Sequence, residues 1–73
     1  MLKVDDVIAF LNTIGSLKKY IDVFHEEEID GSALVETIAK DKDDLWLCIG
    51  IDNPMHRIKI RTKFPEFCLT LNS

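Results

Sequence analysis

The chain has 73 residues, 47% of them hydrophobic, and its 13 acidic against 9 basic residues give a net charge of −4. A chain this short forms one small domain, buries only roughly 60% of its unfolded surface, and has little room for both a core and a substrate cleft. The composition excludes a disordered chain, the acidic balance argues against a general nucleic-acid binder, and no apolar run nears the roughly 18 to 20 residues of a membrane span.

No charged-then-apolar leader precedes a small-residue cleavage site, so the expected setting is intracellular, cytoplasmic or nuclear. Cys48 and Cys68 sit inside the apolar runs "LWLCIGI" and "FPEFCLTL". They read as buried, reduced hydrophobes rather than a disulfide, which fits that setting. His25, His56 and two distant cysteines show no ligand spacing, and neither a metal nor another cofactor is expected.

In "VDDVIAFLNTIG", Val4, Val7, Ile8, Phe10, Leu11 and Ile14 fall near helical spacing, with Asp5 and Asp6 where the helix dipole favours anions. This predicts a first helix stopped by a left-handed Gly15. A second helix is expected from Ser16, its N-cap candidate, to about Glu27, with Leu17, Tyr20, Ile21 and Phe24 facing inward. Asp30-Gly31-Ser32 reads as a turn that opens a short third helix, "SALVETIA", with Leu34, Val35 and Ile38 inward. "KDKDD" is a charged loop, after which Asp43 or Asp44 caps a brief fourth helix stopped by Gly50. Trp46, the single tryptophan, is expected in the core.

"NPMHRIKIRTKF", residues 53–64, alternates Arg57, Lys59, Arg61 and Lys63 with apolar residues and so resembles a basic strand. Asn53 as N-cap, Pro54 at the first helical position, and the steps of three or four through Ile60, Phe64, Phe67, Cys68 and Leu71 turn it into a fifth helix. Pro65 is expected to kink or end that helix. The fold class is therefore all-α: five short helices in one domain over residues 1–73, with a helical core at about 4–71.

Charge is unevenly spread. Nine carboxylates lie between Asp22 and Asp44, while Arg57 to Lys63 holds four cations and no acid. Both runs read either as solvated faces or as a negative and a positive end that meet head to tail.

The segments "VDDVIAFLNTIG", "YIDVFHEEEIDGSAL", "IGI" and "HRIKI", in that order, resemble the sterile alpha motif (SAM) domain. Tyr20, Phe24 four residues on, and the turn Ile29-Asp30-Gly31 are the most specific part, joined by Gly50-Ile51 and His56-Arg57. The chain departs from the pattern at Leu2, where members usually have tryptophan, in a longer Gly31 to Trp46 segment, and at Met55, where many have glycine. The resemblance implies a compact five-helix bundle that is not an enzyme. It further implies a protein-interaction module within a larger signalling, scaffolding or regulatory protein, whose partner is another SAM domain, its own copy or a heterologous one. The end-helix side would comprise Asn53, Met55, His56, Arg57 and Lys59, with Arg61 at its margin. The acidic mid-loop side would draw on Asp22, Glu26, Glu27, Glu28, Asp30, Asp41, Asp43 and Asp44.

Some SAM domains resemble RNA-hairpin binders, and the four fifth-helix cations are the feature that supports this alternative. Positions two apart on a helix point about 200° apart, so the cations form two rows, Arg57 with Arg61 and Lys59 with Lys63. No phosphate loop or catalytic triad spacing is present, His25 reads as an exposed helix end, and His56 as a packing or capping residue.

Overall fold

The computed structural model describes residues 2–72, with the side chain of Asn72 left out. Helix α1 (Val4–Asn12) leads through a tight 3₁₀ segment (Gly15–Tyr20) into α2 (Ile21–Glu26), followed by α3 (Gly31–Lys40), α4 (Asp43–Cys48) and the long α5 (Pro54–Asn72). No strand occurs among the described residues. The architecture is the all-α bundle expected from the spacing of apolar residues.

α1 buries Val7, Phe10 and Leu11, an i, i+3, i+4 stripe on one face. Its end differs from expectation. Thr13 closes it in right-handed geometry with Oγ1 donating to Phe10 O at 2.6 Å, and Gly15 has no positive φ. The second helix is also divided. Leu17 and Tyr20 are three residues apart, and a 3₁₀ turn aligns such a pair, so both reach the core before α2 begins. Ser16 therefore caps no helix; its hydroxyl receives the Lys59 ammonium instead.

Asp30 caps α3, its Oδ1 accepting from Ala33 N at 2.9 Å, so the helix starts at Gly31 rather than beyond it. Leu34 is buried, but Val35 is 51% exposed and Thr37 takes the inward position, its hydroxyl satisfied by Ala33 O. Asp41, at φ 49°, closes α3 in the left-handed region. α4 is entered through Lys42, which places Asp43 and Asp44 in its first turn rather than at the cap. Gly50, at φ 83°, supplies the expected glycine stop.

Pro65 does not end α5, which runs on to Asn72. Pro65 is exposed, so water can satisfy a carbonyl that loses its helix bond there. Ile60 and Phe64 are buried and Phe67 and Cys68 half-buried, but Leu71 is exposed. Cys48 is also exposed, so neither cysteine is the fully buried residue expected; both are free thiols.

Phe10 joins the two ends of the chain: its ring meets Phe64 edge-on with centroids 5.0 Å apart and Phe67 at 5.5 Å. Tyr20, Phe24, Ile29, Leu34, Trp46 and Ile51 complete the core. Burial of such side chains is worth about 1.5–3 kcal/mol each, the main favourable contribution in so small a domain.

Candidate functional site

The start of α5 is built by its own sequence. Asn53 Oδ1 accepts from Met55 N at 2.8 Å, and Asn53 O accepts from Arg57 N at 3.1 Å. Pro54 occupies the first helical position, where no N–H is needed. Met55 then projects outward, 58% exposed, while His56 turns inward and is buried.

The two cation rows face different surroundings. On one flank Arg57 donates through Nε to Ile51 O at 2.9 Å and through Nη1 to Asp43 Oδ1 at 2.6 Å, and its guanidinium lies 6.0 Å from the Trp46 ring centre. Only 16% of its side chain is exposed. One turn on, Arg61 Nη1 donates to Asp41 Oδ2 at 2.7 Å, and Asp41 Oδ1 accepts from Trp46 Nε1 at 2.9 Å. The indole hydrogen bond first, and then Arg61, hold the Asp41 carboxyl below the usual range.

On the other flank Lys59 Nζ donates to Ser16 Oγ at 2.8 Å, and Lys19 Nζ lies 5.5 Å from the Tyr20 ring centre. Between them Tyr20 Oη and His56 Nδ1 form a buried hydrogen bond. Burial pushes the Tyr20 hydroxyl up, with the Asp52 charge adding to it. Burial, then Lys19 and Lys59, pushes His56 down. These effects favour the neutral imidazole, and in its Nε2–H tautomer Nδ1 accepts while the phenol donates. His56 fixes α5 to the 3₁₀ segment and does not point toward a partner.

The acidic residues separate into two groups. Asp22, Glu26, Glu27 and Glu28 are exposed on α2 and the turn after it, and no cation pairs with them among the described residues. Asp30 is half-buried and engaged in capping α3. Asp41 and Asp43, expected beside the α2 acids, are instead held against the arginines of α5. Asp44 is exposed, its Oδ1 accepting from Leu45 N at 3.0 Å. Lys19 was not singled out from sequence and Ser16 only as a helix cap, and only the fold brings them about 40 residues across the chain to α5.

A separate apolar groove of about 450 Å³ runs between α3 and the second half of α5, lined by Val35, Ile38, Ala39, Phe64, Pro65, Cys68 and Leu69. Among the described residues no cluster of three metal-ligating side chains occurs, and no helix is long and apolar enough to cross a membrane.

The five helices, with the capped start of α5 packed on the 3₁₀ segment, define a small all-α domain. The family model for the SAM domain (sterile alpha motif) matches residues 2–63, and the chain belongs to that family. Its members are in general protein-interaction modules and typically non-catalytic. Neither the curated proteins nor the solved structures contain a match to the chain.

Proposed function

We propose that this domain docks the start of α5 onto an acidic α2 face of another SAM domain, a second copy or a heterologous one, inside a larger intracellular signalling, scaffolding or regulatory protein. The observation that carries this is the division of charge. Arg57 and Arg61 are already paired with Asp43 and Asp41, whereas Asp22, Glu26, Glu27 and Glu28 have no cation beside them among the described residues. On the α5 side, Lys59, Lys19 and the helix dipole supply positive potential, and Met55 supplies an adaptable apolar centre. Exposed charge pairs add only about 0–1 kcal/mol each, so Met55 carries much of the contact. Two unlike faces leave one of each open after every contact, and the assembly can continue head to tail.

RNA-hairpin binding is the alternative. It loses support here, because two of the four cations that suggested phosphate already lie against carboxylates.

The test uses two variants, Met55→Glu on one face and Glu27→Lys on the other, in sedimentation velocity. Each alone is expected to stop self-association, and an equimolar mixture to form one-to-one pairs through the two intact faces. A mixture that stays monomeric while wild type assembles would remove this docking mode; wild type monomeric throughout would restrict it to heterologous partners.

A further inference from the structure

The Ser16 hydroxyl is bonded unlike those of the threonines. Thr13, Thr37 and Thr70 each donate to a carbonyl one turn back, Phe10 O, Ala33 O and Glu66 O. Ser16 Oγ instead accepts from an ammonium 43 residues away, Lys59 Nζ at 2.8 Å. A second ammonium belongs to the same place. Ser16 and Lys19 are three residues apart in the 3₁₀ segment, where side chains at i and i+3 eclipse. Lys19 Nζ rests 5.5 Å from the Tyr20 ring centre, a weak contact that a stronger anion displaces. Lys19 and Lys59 both depress His56, so their charges share one neighbourhood. Neither forms an ion pair among the described residues, whereas Lys40, Arg57, Arg61 and Lys63 all do. Asp52, exposed, is the one acid whose charge reaches the Tyr20–His56 pair. Two ammoniums and one carboxylate leave the surroundings of the hydroxyl positive.

The hydroxyl is also open to approach. Ser16 is half-exposed, Gly15 before it is exposed, and a Cβ added at Gly15 would meet nothing within 4 Å. Ile14 has extended backbone, at φ −124° and ψ 111°, and Lys18 and Lys19 follow as exposed cations two and three residues after the serine. We infer that Ser16 is a phosphorylation site whose phosphate is clamped between Lys19 and Lys59, and that the clamp switches off docking through the α5 start. The switch, unlike the clamp, rests on the docking reading above. A serine kinase supplies the phosphoryl group from ATP. The bond between Ser16 Oγ and the γ-phosphorus forms as that phosphorus parts from the β–γ bridging oxygen; ADP leaves, and the hydroxyl proton passes to the kinase's catalytic base. The product carries about −1.5 to −2 charge and three acceptor oxygens. It cancels the positive potential that Lys19 and Lys59 lend to the α5 start, and an acidic partner face then meets a phosphate.

The experiment installs phosphoserine at position 16 of the 73-residue chain during synthesis and follows its phosphorus resonance against pH. In a second arm the unmodified chain is incubated with Mg–ATP and a serine kinase that selects cations two and three residues after its acceptor. The kinase is expected to phosphorylate Ser16, and Ser16→Ala is expected to remain unmodified there. The installed phosphate is expected to lose its second proton below the ordinary value of about 6, and to return toward that value in Lys59→Ala and in Lys19→Ala. In sedimentation velocity the phosphorylated chain is expected to self-associate roughly tenfold more weakly than wild type. A phosphate that titrates at the ordinary value, or one that Lys59→Ala leaves unmoved, overturns the inference. So does a kinase product labelled only at other residues, or a phosphoserine chain that no longer unfolds cooperatively on heating. Undiminished association with the phosphate clamped overturns the switch alone. A wild type that never self-associates bears on the docking reading, and the phosphorus titration still decides the clamp.

Discussion

Tyr20 and His56 stand 36 residues apart and share a buried hydrogen bond, their rings edge to face with centroids 5.4 Å apart. This pair ties the 3₁₀ segment to the start of α5. Protonating the buried imidazole places a charge between Lys19 and Lys59, so the pair makes the anchoring of α5 sensitive to pH. Burial, Lys19 and Lys59 all depress the His56 value in the folded chain below the ordinary one of about 6.5. As pH falls the unfolded chain takes up this proton first. The stability due to neutral His56 is therefore complete above about pH 6.5 and is lost as pH drops from there through the folded value. Urea midpoints measured from about pH 8 to 5 are expected to decline over that window, and the decline to flatten in His56→Phe. A slope unchanged in the variant would place its origin elsewhere.

Gly31 is packed too closely for any side chain. Its N–H donates to Leu2 O at 3.1 Å, and a Cβ at this position would stand 2.3 Å from Leu2 Cβ. Gly31→Ala must push the N-terminal segment off the start of α3, at a cost of about 1–3 kcal/mol in a urea titration. In a Leu2→Gly background the same substitution is expected to cost less, because the nearest clash is gone. Equal costs in both backgrounds would show that Leu2 is not the obstacle.

Asp41 combines a left-handed backbone with two side-chain partners, the Trp46 indole and Arg61. Asp41→Asn keeps an acceptor for the indole and tolerates the backbone; Asp41→Ala keeps neither advantage. Melting temperatures are expected to fall in the order wild type, Asn, Ala, with a change in Trp46 fluorescence in the alanine variant alone. The Asp41 carboxyl is depressed in the fold, so its contribution is present above the ordinary value of about 3.9 and is lost as pH falls through the folded value. Asn is expected to lack that acid dependence.

Some of this was legible in the residues alone, for identifiable reasons. Helix positions follow from the recurrence of Phe10, Leu11, Phe24, Leu34, Ile60 and Phe64, because the core selects one face of each helix. Of the two outcomes expected at Pro65, an end to the helix does not occur, because Ile60 and Phe64 before it and Phe67 and Cys68 after it pack on the same core, which outweighs the one bond the proline removes. Val35 and Thr37 compete for one inward direction on α3, and a threonine that returns its hydroxyl to Ala33 O can take an apolar position. Gly31 looked like a turn glycine, since nothing near it in sequence reveals the approach of Leu2. The two rows of α5 cations were readable from helix geometry. That Asp41 and Asp43 would lie across from one row was not, because it depends on how the α3 to α4 connection folds back.

Arg57 shows what that last difference means for mutagenesis. By sequence it is the first cation of the docking helix and the natural residue to reverse. In the fold it joins Ile51 O, Asp43 and the face of Trp46, and little of it reaches solvent. The exposed Asp43 pair is worth about 0–1 kcal/mol, but the part-buried bond to Ile51 O is a charged one worth about 1.5–3 kcal/mol. Arg57→Glu is therefore expected to lower unfolding stability by about 2 kcal/mol or more, whether or not the domain has a partner. Arg57→Lys keeps the charge but not the planar fork, and is expected to recover only part of that loss. Lys59→Glu, on the opposite flank, is expected to change association with a much smaller change in the urea midpoint. If Arg57→Glu left the midpoint unchanged, the guanidinium would be a docking residue after all.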